Sequence, residues 1–222
     1  MKKLFLFDID NTLIIGSHDN RFARVIQSVH GIDPKLEVDI QGLTDKLILA
    51  VLLKNEGWDE TQIEDAMPKL IEELDVAHAT TFKPENVTIL PGIRELLEAL
   101  KAKGHVLGLI TGNLHIIAER KLSAVGIWDY FELGGFSSDP HKTRGDLVTV
   151  AIERAGYADR LQDVYVVGDT ARDIQAAHEA GVENSVGVTN GLRDKQELID
   201  AKAKYVFEDF TDTDQALGDL GL

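Results

Sequence analysis

The stretch "LFLFDIDNT", residues 4 to 12, decides how the chain is read. Four apolar residues, Leu4 to Phe7, run straight into two aspartates, Asp8 and Asp10, with Thr12 two positions on. A short continuous apolar run of this kind is the pattern of a strand buried on both faces of a parallel sheet. Such a strand does not end in paired carboxylates unless something at its end needs them.

Further apolar runs recur along the chain: Val106 to Thr111, Val164 to Gly168, Val186 to Thr189, a weaker one at Phe131 to Gly135, and an edge candidate at Tyr205 to Phe207. Between them lie helical periodicities. One runs Ile93, Leu96, Leu97, Leu100, and another Ile116, Ile117, Leu122 to Val125. A third covers Leu147 to Ala155, and a fourth Ile174 to Ala180, with Gly181 placed as a C-cap. Alternating strand and helix predicts an α/β fold with a doubly wound parallel sheet. Residues 16–83 break this rhythm. They show helical patterns only, at Phe22 to His30, Leu43 to Glu56 and Thr61 to Ala79. The segment is too long for an ordinary βα loop, so the expected organisation is a core of 1–15 and 84–222 with an inserted α-helical cap at 16–83.

Ligands of open α/β sheets bind beyond the carboxyl ends of the strands. Asp8, Asp10 and Thr12 follow the first run there, Thr111, Gly112 and Asn113 the second, and Asp169, Thr170 and Asp173 the fourth. Lys142 and Arg144 stand just ahead of the Leu147 helix. Carboxylates converging on one edge repel one another and would have to take up protons without a counter-ion. The donors are hard oxygens with no thiolate, which points to Mg²⁺ before zinc. Mg²⁺ takes only one or two protein carboxylates, so an aspartate remains free to attack phosphorus while a second moves the proton. Backbone N–H groups and a hydroxyl at Thr111, Gly112 and Asn113 suit phosphoryl oxygens at a helix start.

"DIDNT" (8–12), "ITGN" (110–113), the basic "HKTR" (141–144) and "VVGDTARDIQAAHEAG" (166–181) resemble, in order, the four motifs of the haloacid dehalogenase superfamily. The resemblance implies that Asp8 is a nucleophile and Asp10 a general acid/base. It implies that Mg²⁺ is held by Asp8, the Asp10 carbonyl and Asp169, with Asp173 in support. The insert resembles the helical cap of the phosphoglycolate phosphatase-like group. Thr44, Asp45 and Lys46 resemble the cap loop that faces the site in that group, though they also read simply as a helix N-terminus. For the motif cation Lys142 stands at the usual distance before the helix and is taken first. Arg144 fits relatives with an arginine at the helix start. Whichever is not used is a surface charge.

Composition bounds the function. The chain has 222 residues, 44% of them apolar, and a formal net charge of −15. An acidic surface disfavours nucleic acid and anionic membrane as partners. There is no cysteine, which excludes thiolate sites and suits a reducing cytosol; a cytoplasmic protein, monomer or homodimer, is expected. Lys2-Lys3 and the apolar run after them imitate a leader, but Asp8 ends the run too early, and no run approaches the roughly 18 residues of a membrane span. Asn86-Val87-Thr88 is a sequon by chance. The seven histidines show no paired metal spacing. The expected function is therefore a Mg²⁺-dependent phosphatase acting on a small phosphorylated metabolite through an aspartyl phosphate. A phosphomutase resembling β-phosphoglucomutase and a non-catalytic phosphometabolite-binding module are the alternatives. A haloalkanoate dehalogenase is disfavoured because it has no need of Asp10.

Overall fold

The computed structural model describes residues 1–16, 21–35 and 42–222. Its frame is a six-stranded, all-parallel sheet of β1 (Leu4–Phe7), β4 (Val106–Thr111), β5 (Leu133–Phe136), β6 (Val164–Gly168), β7 (Asn184–Val188) and β8 (Tyr205–Phe207). The spatial order is β5-β4-β1-β6-β7-β8. The chain winds outward from β1 through β4 to β5, then returns to the other side of β1 for β6, β7 and β8. The direction of winding reverses at β1 and β6, the switch point where a crevice opens.

Period-two alternation sorts the strand side chains onto two faces. Phe5, Phe7, Leu107, Leu109, Tyr165 and Val167 enter one buried cluster. They pack on α4 (Ile93–Ala102), α5 (His115–Ala124) and α9 (Thr213–Asp219). Leu4, Leu6, Val106, Ile110, Val164 and Val166 enter the other, against α6 (Arg144–Ala155) and α7 (Ala171–Glu179). Both faces are covered, so the α/β doubly wound sheet read from the sequence is the fold found.

The described residues between β2 (Ile14–Ile15) and β3 (Thr88–Ile89) form a mainly helical insert. These two short strands pair antiparallel, Ile14 opposite Ile89 and Ile15 opposite Thr88, and bring its ends together. It holds α1 (Arg21–His30), α2 (Asp45–Asn55) and α3 (Glu60–Thr81). Positions 17–20 and 36–41 of the expected insert lie outside the described residues. The three helices share an apolar cluster that includes Phe22, Ile26, Leu49, Leu52, Leu70 and Leu74. Leu114 and Ile117 of the sheet unit complete it.

The start of α2 is docked on the sheet unit by main-chain bonds. Asp45 N donates to Gly112 O (2.7 Å), and Lys46 N donates to Ser137 Oγ (3.0 Å). Leu114 N donates in return to Asp45 Oδ2 (2.9 Å). This approach requires a glycine at 112, where a Cβ would stand 2.5 Å from Leu43 O. Gly112→Ala is therefore expected to push the insert off the loop, with the roughly 1–3 kcal/mol cost of overpacking. Denaturant melts with a midpoint equal to the parent's would contradict this docking.

Candidate active site

Asp8 follows β1 directly, and its N–H donates to Val167 O (2.9 Å), so Asp8 is pinned beside the end of β6. The chain then turns sharply. Asn11 has φ 61°, a left-handed conformation that asparagine tolerates. The N–H groups of Thr12, Leu13 and Ile14 all point to Ile9 O. Asn190 Nδ2 holds Asn11 O (2.7 Å) from the loop after β7.

Asp169 follows β6 directly, and Asp173 lies in the first turn of α7. Thr170 is the N-cap of that helix and forms a capping box with Asp173. Asp173 Oδ2 accepts from Thr170 N (3.0 Å) and Thr170 Oγ1 (2.6 Å). That leaves Oδ1 facing inward. Gly168 makes room for it, because a Cβ there would lie 2.3 Å from Asp173 Cβ. Oxygen atoms of Asp8, Asp169 and Asp173, all buried, lie within 4.8 Å of one another. They form a hard-oxygen donor set that fits a divalent cation.

Arg144 is the cation among them. Its Nη2 donates to Asp8 Oδ1 (2.5 Å) and stands 2.6 Å from Asp173 Oδ1, and its Nη1 donates to Gly42 O (3.2 Å) of the insert. Burial opposes its charge, but Asp173 and Asp8 outweigh that and hold it firmly protonated. Lys142, taken first from the sequence, lies elsewhere. Thr143 caps α6, so Lys142 stands outside the helix with an exposed side chain, away from the cavity wall. Arg144 opens the first turn and points inward.

Burial lifts the Asp8 carboxyl well above its ordinary range. Arg144 offsets part of this, while Asp173, Asp169 and Asp10 add to it. Asp169 is pushed up to about 6, first by burial and then by Asp173, against the pull of Arg193, whose Nε donates to Asp169 Oδ2 (2.8 Å).

A cavity of about 590 Å³ opens over this edge. Asp8, Asp10, Thr111, Gly112, Asn113, Asp169, Asp173 and Arg144 line it from the sheet, and Asp45 from the insert. Asn113 Nδ2 donates to Asp10 Oδ2 and to Thr111 Oγ1, both at 2.8 Å. The other expected contacts fall elsewhere. Thr12 sits behind the wall, its hydroxyl 3.4 Å from Asp169 Oδ1. Thr44 is the N-cap of α2 and bonds His141 Nε2 (2.8 Å). Lys46 Nζ donates to the carbonyls of Ser138 (3.1 Å) and Asp139 (3.2 Å) and does not reach the cavity. Of that trio only Asp45 lines the cavity. Its carboxyl is raised by burial and partly restrained by Arg21.

Three lining cations escaped the sequence reading: Arg21, Lys121 and Arg193. A signal existed for Lys121, which shares the buried stripe of Ile117, Ala118 and Leu122. Arg21 and Arg193 sit in polar surroundings that read as ordinary surface.

A doubly wound sheet whose switch point gathers buried acids and an arginine defines an α/β protein with an acid-lined crevice at the usual ligand edge. The chain belongs to the haloacid dehalogenase-like hydrolases, whose family model matches residues 2–181. It is 30% identical over 176 residues to a phosphoglycolate phosphatase of Shigella boydii, covering 76% of this chain and 68% of the relative. A phosphoglycolate phosphatase of Haemophilus influenzae is 28% identical over 226 residues, covering 94% and 95%. Among solved structures, a hydrolase from Pseudomonas syringae superposes with a TM-score of 0.72 at 23% identity, covering 98% of this chain and 99% of that one. A β-phosphoglucomutase from Clostridium difficile gives 0.70 at 19%, covering 96% and 93%. At such identities these two likenesses concern the fold. No described helix is long and apolar enough to cross a membrane.

The raised acids make cation binding pH-dependent. Asp169 titrates near 6 when folded against 3.8 ordinarily. The unfolded chain therefore releases this proton first as pH rises, and metal-free stability falls between these two values. A cation replaces the proton, so the gain in melting temperature on adding Mg²⁺ should be small near pH 4 and level off above about pH 7. Asp169→Asn should flatten that slope. A gain of the same size at every pH would remove Asp169 from the cation site.

Proposed function

We propose that this enzyme is a Mg²⁺-dependent phosphatase that cleaves a small, phosphoglycolate-like phosphorylated metabolite through an aspartyl phosphate on Asp8. The observation that carries this reading is the cluster of Asp8, Asp169 and Asp173 around Arg144, with Asp10 and Thr111 on the same cavity wall. The phosphatase names of the relatives support it.

Asp8, Asp169 and Asp173 would hold the cation, with the Asp10 carbonyl as the family resemblance implies. When bound, Mg²⁺ neutralises charge on the phosphoryl oxygens and on the acids themselves. A carboxylate oxygen of Asp8 attacks phosphorus while the bond to the leaving oxygen breaks, and Asp10 gives that oxygen its proton. Asp10, now ionised, takes a proton from water as the water attacks phosphorus. The bond to Asp8 then breaks and the carboxylate is restored. Thr111 and the N–H groups beside it cradle the phosphoryl oxygens, and Arg144 offsets the charge that builds on them. The insert covers the side of the leaving group, and its Asp45 is the member of the expected cap trio placed to meet it.

Purified protein should release phosphate from a panel of phosphorylated metabolites with Mg²⁺ and none in excess chelator. A sugar-phosphate isomer formed without free phosphate would mark a mutase instead. Asp8→Asn should abolish both turnover and acid-stable labelling by substrate, because an amide is a poor nucleophile. Asp10→Asn should slow turnover by about 10²–10⁴-fold, the usual worth of a general acid or base. Arg144→Ala should cost about 10²–10³ in kcat, whereas Lys142→Ala should match the parent. Equal losses at 142 and 144 would reject the assignment of the cation.

A further inference from the structure

Lys121 belongs to none of the four motifs, yet it is the most deeply buried lysine among the described residues. Its side chain is 8% exposed. A lysine is rarely buried unless it is paired. Here Nζ donates to Asp10 Oδ1, Asp10 Oδ2 and Asn113 Oδ1, each at 2.8 Å. An ammonium has three N–H donors, and these contacts use all three. Asn113 Nδ2 closes the ring on Asp10 Oδ2 and reaches Thr111 Oγ1. Three separate segments are thereby tied at one carboxylate: the turn after β1, the loop after β4, and α5.

We propose that Lys121 is a positioning residue. It fixes the Asp10 carboxylate against the loop that carries Thr111 and Asn113, in the orientation needed to accept a proton from water. The proposal rests on the hydrolase reading above. The step concerned is the second one. Water forms its bond to phosphorus, the bond from phosphorus to Asp8 breaks with its electron pair returning to Asp8, and the water proton goes to Asp10. Direct substrate binding by Lys121 is the competing role, since the residue lines the cavity. The geometry disfavours it because no ammonium donor is left over. An aspartate has only two side-chain torsions to restrain, and Asp10 is 25% exposed. Without the clamp its carboxylate can turn toward solvent, and loss of orientation is costly at a reacting centre.

The test compares Lys121→Met, which keeps length and apolar bulk but removes charge and donors, with Lys121→Arg. With p-nitrophenyl phosphate and Mg²⁺, Lys121→Met should lower kcat by roughly tenfold to a hundredfold with KM within about threefold. A pre-steady-state burst of p-nitrophenolate, stoichiometric with enzyme, should appear as clearance of the phosphoenzyme becomes limiting. Lys121→Arg should recover part of the loss. A raised KM at unchanged kcat would overturn the proposal in favour of substrate binding. A lower melting temperature with unchanged kcat would overturn it in favour of a purely structural role. A crystal structure of Lys121→Met gives a readout independent of turnover. The Asp10 carboxylate should be displaced from Asn113, and an unmoved carboxylate would sink the idea even if no substrate were ever found. Lack of turnover by the parent with every phosphate ester would instead count against the hydrolase reading alone.

Discussion

Three buried carboxylates converge beside two guanidiniums, Arg144 on Asp8 and Asp173 and Arg193 on Asp169, and much of the molecule is arranged to permit it. Asp8, Asp169 and Asp173 come from the ends of two neighbouring parallel strands and from a helix start, and Arg144 comes from a third segment. In water the acids would separate. Here the ladder bond from Asp8 to Val167, the capping box of Thr170 and Asp173, and the missing side chain of Gly168 hold them together. Arg144 beside Asp8 and Arg193 beside Asp169 do not offset the burial of these acids and their mutual repulsion, which is why Asp8 and Asp169 both hold their protons more tightly than a free aspartate. The acids leave an unmet demand for positive charge, and a divalent cation fits such a demand.

Much of this was legible in the sequence because two periods carry it. The apolar runs mark strands, and the acids at the ends of the first and fourth runs mark the edge where ligands bind. Val106 to Thr111 and Val164 to Gly168 were read with the bounds the structure has. Other features lacked a local signal. β2 and β3 are two residues each, too short for any period. β7 begins two residues early because Asn184, polar by type, is buried with its amide bonded to Gln162 O and Val164 O. α9 is a short polar helix that shows no stripe.

The site was legible where it depends on chain position and illegible where it depends on side-chain direction. Asp8, Asp10 and Asp169 follow strands, and topology alone carries them to one edge. Lys142 and Arg144 differ by a single step of helix register: Thr143 is the N-cap, so Arg144 opens α6 and Lys142 stands outside it. The trio Thr44, Asp45 and Lys46 is split by the same physics. The first caps α2, the second points to the cavity and the third reaches back to carbonyls of the loop after β5. Spacing cannot distinguish three consecutive residues at a helix start, because their directions differ by about 100° each.

The docking of the insert links this division to mobility. Of the hydrogen bonds that tie the start of α2 to the sheet unit, three involve main-chain atoms of Gly112, Leu114, Asp45 or Lys46, and the side chains of Thr44 and Lys46 add others to His141, Ser138 and Asp139. Each contributes about 0.5–1.5 kcal/mol net, because water replaces the partner once the contact opens. Opening there would also hydrate the Asp45 carboxyl, whose burial is otherwise unfavourable. The cost of burying Asp45 offsets part of what these bonds contribute, so the docking is weaker than the bonds alone suggest. Gly112 stands between Thr111 and Asn113, and its carbonyl is one of the groups released. A displacement of the insert is therefore felt first by the loop that faces the proposed phosphoryl group. Through Asn113 it reaches Asp10 and Lys121. The insert side of the cavity and the Asp10 side are thus joined by hydrogen bonds through Gly112 and Asn113, although different parts of the sequence encode them.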